Sequence, residues 1–133
     1  MNILVFFLLG CLSLESVLSS LRSFEAIFNF GNSLCDTGNF LLSGAPTFPV
    51  IEKHPYGETF FYHTTGRFSN GRLIVDFIAK AFGLLYLPPY LAVAKGPPVG
   101  TGVNFAVAGA TEIDSSFFSA QKIVLWTNDS LSV

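Results

Sequence analysis

Apolar and polar positions switch period several times along the chain, and each switch marks an element. "SFEAIFNFG" (23–31) is dense in Phe and Ile and ends at Gly31, the pattern of a first, mostly buried strand. "NSLCDTGNFLLSG" follows as a turn leading into a short helical segment. Residues 45–71 hold three prolines and three glycines with no sustained period, which reads as a long surface loop. The clearest helix lies in "GRLIVDFIAKAFG", where Leu73, Ile74, Phe77, Ile78, Ala81 and Phe82 form one apolar stripe. Ser69 or Asn70 is expected to cap its start, and Gly83 to end it in a left-handed conformation. "LPPYLAVAKGPPVGTG" (87–102) returns to loop. "VNFAVAGAT" (103–111) then alternates Val103, Phe105 and Val107 on one face before a tight turn at Ala108-Gly109-Ala110.

A strand, a helical crossover and a second strand make a βαβ unit with a parallel sheet. Two strands cannot bury such a sheet on both faces, so the chain reads as the front part of a larger α/β domain. Its 133 residues amount to one domain at most. Half the residues are apolar and only 12% are charged, which argues against disorder. A net charge of −2 gives no basic footprint for nucleic acid.

The start of the chain changes the picture. "NILVFFLLGCLSL" is shorter than the roughly 20 apolar residues of a spanning helix. It fits the apolar core of a secretory signal peptide over residues 1–20, with Val17 and Ser19 as small residues before a cut near Ser19 or Ser20. A buried helix or an uncleaved anchor is the competing reading. The expected mature chain, 21–133, is secreted, with no stable membrane insertion, and keeps Cys35 alone because Cys11 lies in the leader. No internal disulfide can form, and Cys35 is either a thiol beside a turn or a small buried residue.

Ligands of α/β folds gather beyond the carboxyl ends of the strands. Two turns of this chain sit there, Gly31-Asn32-Ser33 and Ala108-Gly109-Ala110. A serine on a strand-to-helix turn can present its hydroxyl while neighbouring backbone N–H groups point at the same spot, which builds a nucleophile and an oxyanion hole together. Spacing alone leaves Ser33 open as either a turn-capping hydroxyl or a nucleophile. No phosphate-binding loop, metal-ligand spacing or dinucleotide fingerprint occurs, so no cofactor is expected; the glycines of "GPPVGTGVNF" precede the strand rather than follow it.

Three stretches together resemble one family. "FNFGNSLCDTGNF", "PYGETFFYHTTGRFSNGRLIVDFIAKAFGL" and "GVNFAVAGAT" are similar to ordered segments of the plant secreted GDSL esterase/lipases, in the SGNH hydrolase superfamily. The likeness runs from about residue 24 to about residue 115. It implies a three-layer α/β/α domain with a flavodoxin-like parallel sheet, of which only the amino-terminal part is present. It also implies hydrolysis of small-molecule esters or lipids. By the same resemblance Ser33 is the nucleophile, and the N–H groups of Ser33 and Gly109 belong to the oxyanion hole. Asn32 stands where the family has Asp, a turn-shaping position, and keeps one acceptor oxygen for the turn.

The family's base is a histidine in an Asp-x-x-His segment, and an Asn from a third block completes its oxyanion hole. The two histidines here, His54 and His63, follow "IEK" and "FFY", and solvated loop histidine is the plainer reading of both. The chain alone is therefore expected to be weakly active or inactive, and a non-catalytic secreted protein that folds poorly or binds an ester without turnover is the alternative. Asn128 opens an Asn-x-Ser acceptor for glycosylation, meaningful in a secreted chain. Arg67 and Arg72 either order the loop or shape a substrate mouth. Phe60, Phe61 and Tyr62 line a pocket or pack in the core.

Overall fold

Strands β1 (Ile27–Asn29) and β2 (Gly102–Asn104) pair in parallel, with Ile27 opposite Gly102, Phe28 opposite Val103 and Asn29 opposite Asn104. They belong to a computed structural model that describes residues 24–44, 49–94, 96, 100–125, 127, 128 and 130. The expected leader over 1–20, its cut near Ser19 or Ser20, and Cys11 lie outside the described residues. Regular strand ends early, but the ladder continues: Phe105 N donates to the Asn29 carbonyl at 2.8 Å and Val107 N to the Gly31 carbonyl at 3.1 Å. The parallel pairing agrees with the α/β pattern. Helices α1 (Asn39–Leu42), α2 (Ile74–Ala81), α3 (Tyr90–Val93) and α4 (Ser115–Ala120) complete the regular structure with a 3-10 turn at Pro49–Glu52. Neither expected loop is wholly irregular, since the 3-10 turn interrupts the first and α3 the second. Among the described residues no helix is long and apolar enough to cross a membrane.

The start of α2 differs from expectation. Neither Ser69 nor Asn70 caps it; the Asp76 carboxylate accepts from Leu73 N at 2.9 Å instead. Ser69 is spent one turn earlier, its hydroxyl accepting from Gly71 N at 3.0 Å. The reason is Arg67, whose Nε and Nη2 each donate to Asp76 at 2.9 Å and fix the carboxylate over the first turn. At the other end Gly83 takes φ +70°, as expected. Gly83 N reaches the Lys80 carbonyl and Leu84 N the Ala79 carbonyl, the paired bonds of a Schellman cap.

The orientation of α2 was not legible in its pattern. Its buried residues are Val75, Asp76 and Ala79, whereas Ile74 is 74% exposed and Phe77 51%. The apolar stripe thus faces outward among the described residues, apart from Leu73. Leu73 and Val75 pack with Leu87 against Ile27 and Cys35, and this contact with the sheet sets the rotation of the helix. A second cluster gathers Phe40, Ile51 and Ala108 beneath Leu41, Tyr56, Phe68 and Val107. β2 shows the same inversion: Val103, Phe105 and Val107 are half-buried, while the alternate set Gly102, Asn104, Ala106 and Ala108 is fully buried.

Candidate active site

Just past β1, Cys35 N donates to the Asn32 carbonyl at 3.1 Å and closes a tight turn around Ser33 and Leu34. The Asn32 side-chain oxygen accepts from Leu34 N at 3.1 Å, an Asx turn that leaves Asn32 itself exposed. Ser33 is half-buried, and among the described residues neither its hydroxyl nor its N–H is spent on a hydrogen bond. Cys35 Sγ turns back toward the Phe30 and Asn32 carbonyls, 3.7 Å from each, and packs with the Leu73 cluster.

Past β2, Ala110 N donates to the Val107 carbonyl at 3.0 Å, so Ala108 and Gly109 form the corner of a second turn. Gly109 sits at φ +85°, the left-handed value of the third position in a type II turn, which a side chain would strain. Its N–H also donates no hydrogen bond among the described residues.

A knot of buried polar side chains ties the two turns together. Asp36 Oδ1 accepts from Gly38 N and Asn39 N, both at 2.7 Å. Its Oδ2 accepts from Phe40 N at 3.0 Å and from Ala108 N at 2.8 Å. Asn39 Nδ2 donates to the Asn104 and Ala106 carbonyls at 2.8 and 2.9 Å, while its Oδ1 accepts from Leu91 N at 3.0 Å. The Asn104 amide donates to the Cys35 carbonyl and to Thr37 Oγ1, and its oxygen accepts from Asn29 Nδ2 and Ala106 N. Asp36, Asn39 and Asn104 are essentially inaccessible to water. Every acceptor or donor they bring inside therefore has a partner, as burial of polar groups demands.

The other expected residues lie elsewhere. His54 and His63 are both exposed, in the segment between α1 and α2, and among the described residues neither is hydrogen-bonded to the Ser33 turn. Arg67 is taken up by Asp76 and lies 4.8 Å from the Phe61 ring centre. Arg72 is sandwiched between Phe60 and Phe77, 4.2 and 4.1 Å from the ring centres. These contacts order the loop. Phe60, Phe61 and Tyr86 share edge-to-face contacts in a surface cluster, while Tyr62 is 80% exposed. Asn128 is exposed, and Asp129 of its acceptor triplet lies outside the described residues. Among the described residues no group of three His, Cys, Asp or Glu side chains could hold a metal ion.

A groove of about 490 Å³ opens between α1 and α3, lined by Asn39, Leu42, Tyr90, Leu91, Phe105 and Val107 among others. Phe105 stacks on Phe30 at 5.0 Å and under Tyr90 at 4.9 Å. Its Val107 wall is hydrogen-bonded to Gly31, two residues before Ser33.

The sequence model of the GDSL-like lipase/acylhydrolase family matches residues 27–124, nearly all of this geometry. The chain belongs to that family. A GDSL esterase/lipase of Arabidopsis thaliana is 53% identical over 83% of the chain and 31% of its own length. A second from the same plant is 51% identical over 91% of the chain and 31% of its length. The sinapine esterase of Brassica napus is 51% identical over 86% of the chain and 30% of its length. The chain thus spans about a third of the length of the curated relatives it matches. No solved structure matches it. Within the family match, Asp36, Asn39 and Asn104 are what the motif reading missed. Two signals were available: Asp36 stands in a turn just before the apolar run "FLL", where Asp side chains commonly take up backbone N–H groups, and Asn104 interrupts an apolar strand on what proves its buried face.

Proposed function

We propose that this chain is the nucleophile-bearing part of a secreted serine ester hydrolase with the three-layer α/β/α fold of its family. In this reading Ser33 Oγ attacks the ester carbonyl, the alcohol leaves, and water later releases the acid from the acyl-enzyme. The N–H groups of Ser33 and Gly109 receive the oxyanion in the tetrahedral intermediate. One observation carries the reading: the two turns are tied together through Asp36 while, among the described residues, the Ser33 hydroxyl and both N–H groups remain unspent. The substrate is a small carboxylic ester or a lipid, in keeping with relatives named esterase/lipase and sinapine esterase. The groove beside Val107 gives its apolar part a seat, and no metal or organic cofactor takes part.

A serine hydroxyl needs a base to take its proton. In this reading neither exposed histidine of this chain has that role, and the base comes from an Asp-x-x-His segment outside residues 1–133, as the family resemblance implies. Residues 1–20 direct export, 21–133 belong to the hydrolase domain, and Asn128 accepts a glycan on the exposed surface. Without the base, turnover falls to the residual left by an oxyanion hole and binding, about 10³- to 10⁴-fold over water. Among the described residues neither histidine is hydrogen-bonded to the Ser33 turn, which favours one other reading, a protein that binds an ester without turning it over.

Exposure of the full chain to p-nitrophenyl butyrate, followed by mass analysis, tests this. Expected is slow acylation of the peptide holding Ser33, with one p-nitrophenol released per chain, and none in Ser33→Ala. Equal release by chain and variant overturns Ser33 as the nucleophile; reversible binding without any adduct supports the non-catalytic reading.

A further inference from the structure

We infer that Asp36 is a positioning residue for Ser33 acylation, holding the Gly109 N–H in register with the Ser33 turn; this rests on the ester-hydrolase reading above. Three of its four hydrogen bonds, from Gly38 N, Asn39 N and Phe40 N, serve the start of α1. The bond from Ala108 N does nothing for α1, because that donor comes from 72 residues away and belongs to the Gly109 turn. A cap alone also needs no burial, yet Asp36 is completely inaccessible.

Among the described residues Asp36 forms no ion pair, and Arg67 is engaged by Asp76. Burying a carboxylate without a counter-ion is costly unless N–H groups saturate it. Both oxygens here act purely as acceptors, two N–H groups apiece. The arrangement makes one rigid bracket. It starts three residues after Ser33 and ends one residue before Gly109, so this side chain links nucleophile and oxyanion donor beside the Val107–Gly31 ladder bond and the Asn104–Cys35 bond.

Asparagine in place of Asp36 tests the bracket, because it has the same shape but one acceptor oxygen. It can serve the pair at Gly38 and Asn39 or the pair at Phe40 and Ala108, and its NH₂ opposes the other pair. The measurement is the saturating acylation rate of Ser33 and the half-saturating p-nitrophenyl butyrate concentration, on the full chain, in wild type, Asp36→Asn and Ser33→Ala. An oxyanion donor removed outright costs about 10²- to 10³-fold. A displaced one in Asp36→Asn is expected to cost about ten- to a hundredfold in rate, with half-saturation unchanged within about twofold. Amide hydrogen exchange should quicken at Ala108 while Leu84, at the end of α2, keeps its protection. Exchange that quickens at Leu84 as well means general unfolding and overturns the positioning role. Loss of acylation in Ser33→Ala with a wild-type rate in Asp36→Asn overturns this inference alone, whereas acylation surviving Ser33→Ala overturns the functional reading on which it stands.

Discussion

Phe40 and Phe28 are the same residue in opposite surroundings, one 1% and the other 65% exposed. Phe40 sits in the core with Ile51 and Ala108, and its backbone N–H donates to Asp36 of the polar knot; Phe28 is exposed, as are Phe30 and the outward stripe of α2. A carboxylate and amides thus lie inside beside the apolar core, while many aromatic rings lie outside. The knot is polar because tight turns strand backbone N–H and C=O groups in the interior, and those groups must be met by side chains. The outer faces are apolar because a parallel sheet and its helices are built to be covered, and among the described residues nothing covers Phe28 or Ile74. Energetically the two regions obey different rules. A change in the knot leaves unsatisfied groups inside, whereas a change on the outer faces alters contact with water alone.

Several substitutions would break or sharpen this contrast. The largest effect is expected from Asp76→Ala, which strands the Arg67 guanidinium in the interior; breaking such a buried pair typically costs about 3–5 kcal/mol, read as a lower urea midpoint. Phe40→Ala should cost a similar amount, about 3–5 kcal/mol, through the cavity left between Ile51 and Ala108. Phe28→Ala, by contrast, should stay within about 0.5 kcal/mol, the range of ordinary surface changes. If Phe28→Ala costs as much as Phe40→Ala, the sheet face is covered in solution and the contrast fails. Ile74→Lys should likewise leave the urea midpoint unchanged while reducing self-association in sedimentation, since it interrupts an exposed apolar patch.

The smallest effect concerns Asp114, which caps α4 by accepting from Ser116 N at 2.7 Å. Hydrogen bonds from the Ser116 side chain and then from its backbone N–H hold the Asp114 carboxyl below its ordinary range. A lowered folded-state value stabilises the helix fully above the unfolded aspartate pKa of about 3.9, and that contribution fades as pH falls through the lowered value. Circular dichroism should therefore show slight helix loss on acidification through that window in wild type and none of it in Asp114→Ala.

Much was legible in the sequence alone. The order of strand, helix and strand, the left-handed Gly83, the turn closed by Asn32 and the family itself follow from local patterns, because turn chemistry, capping and alternation are carried by neighbours in the chain. The rotation of α2 was not, because the Leu73–Val75–Leu87 contact and the Arg67–Asp76 pair depend on partners brought from other elements. The cap at Asp76 rather than Ser69 has the same origin. The deepest gap was the bracket under the candidate site: Asp36 and Ala108 are 72 positions apart, and only folding puts an acceptor on one beside a donor on the other. Sequence by itself therefore determined which residues could do chemistry and which segments could turn or coil. Tertiary structure decided which faces are inside and which two turns meet, since burial and long-range hydrogen bonding are properties of the assembled chain and of no single stretch within it.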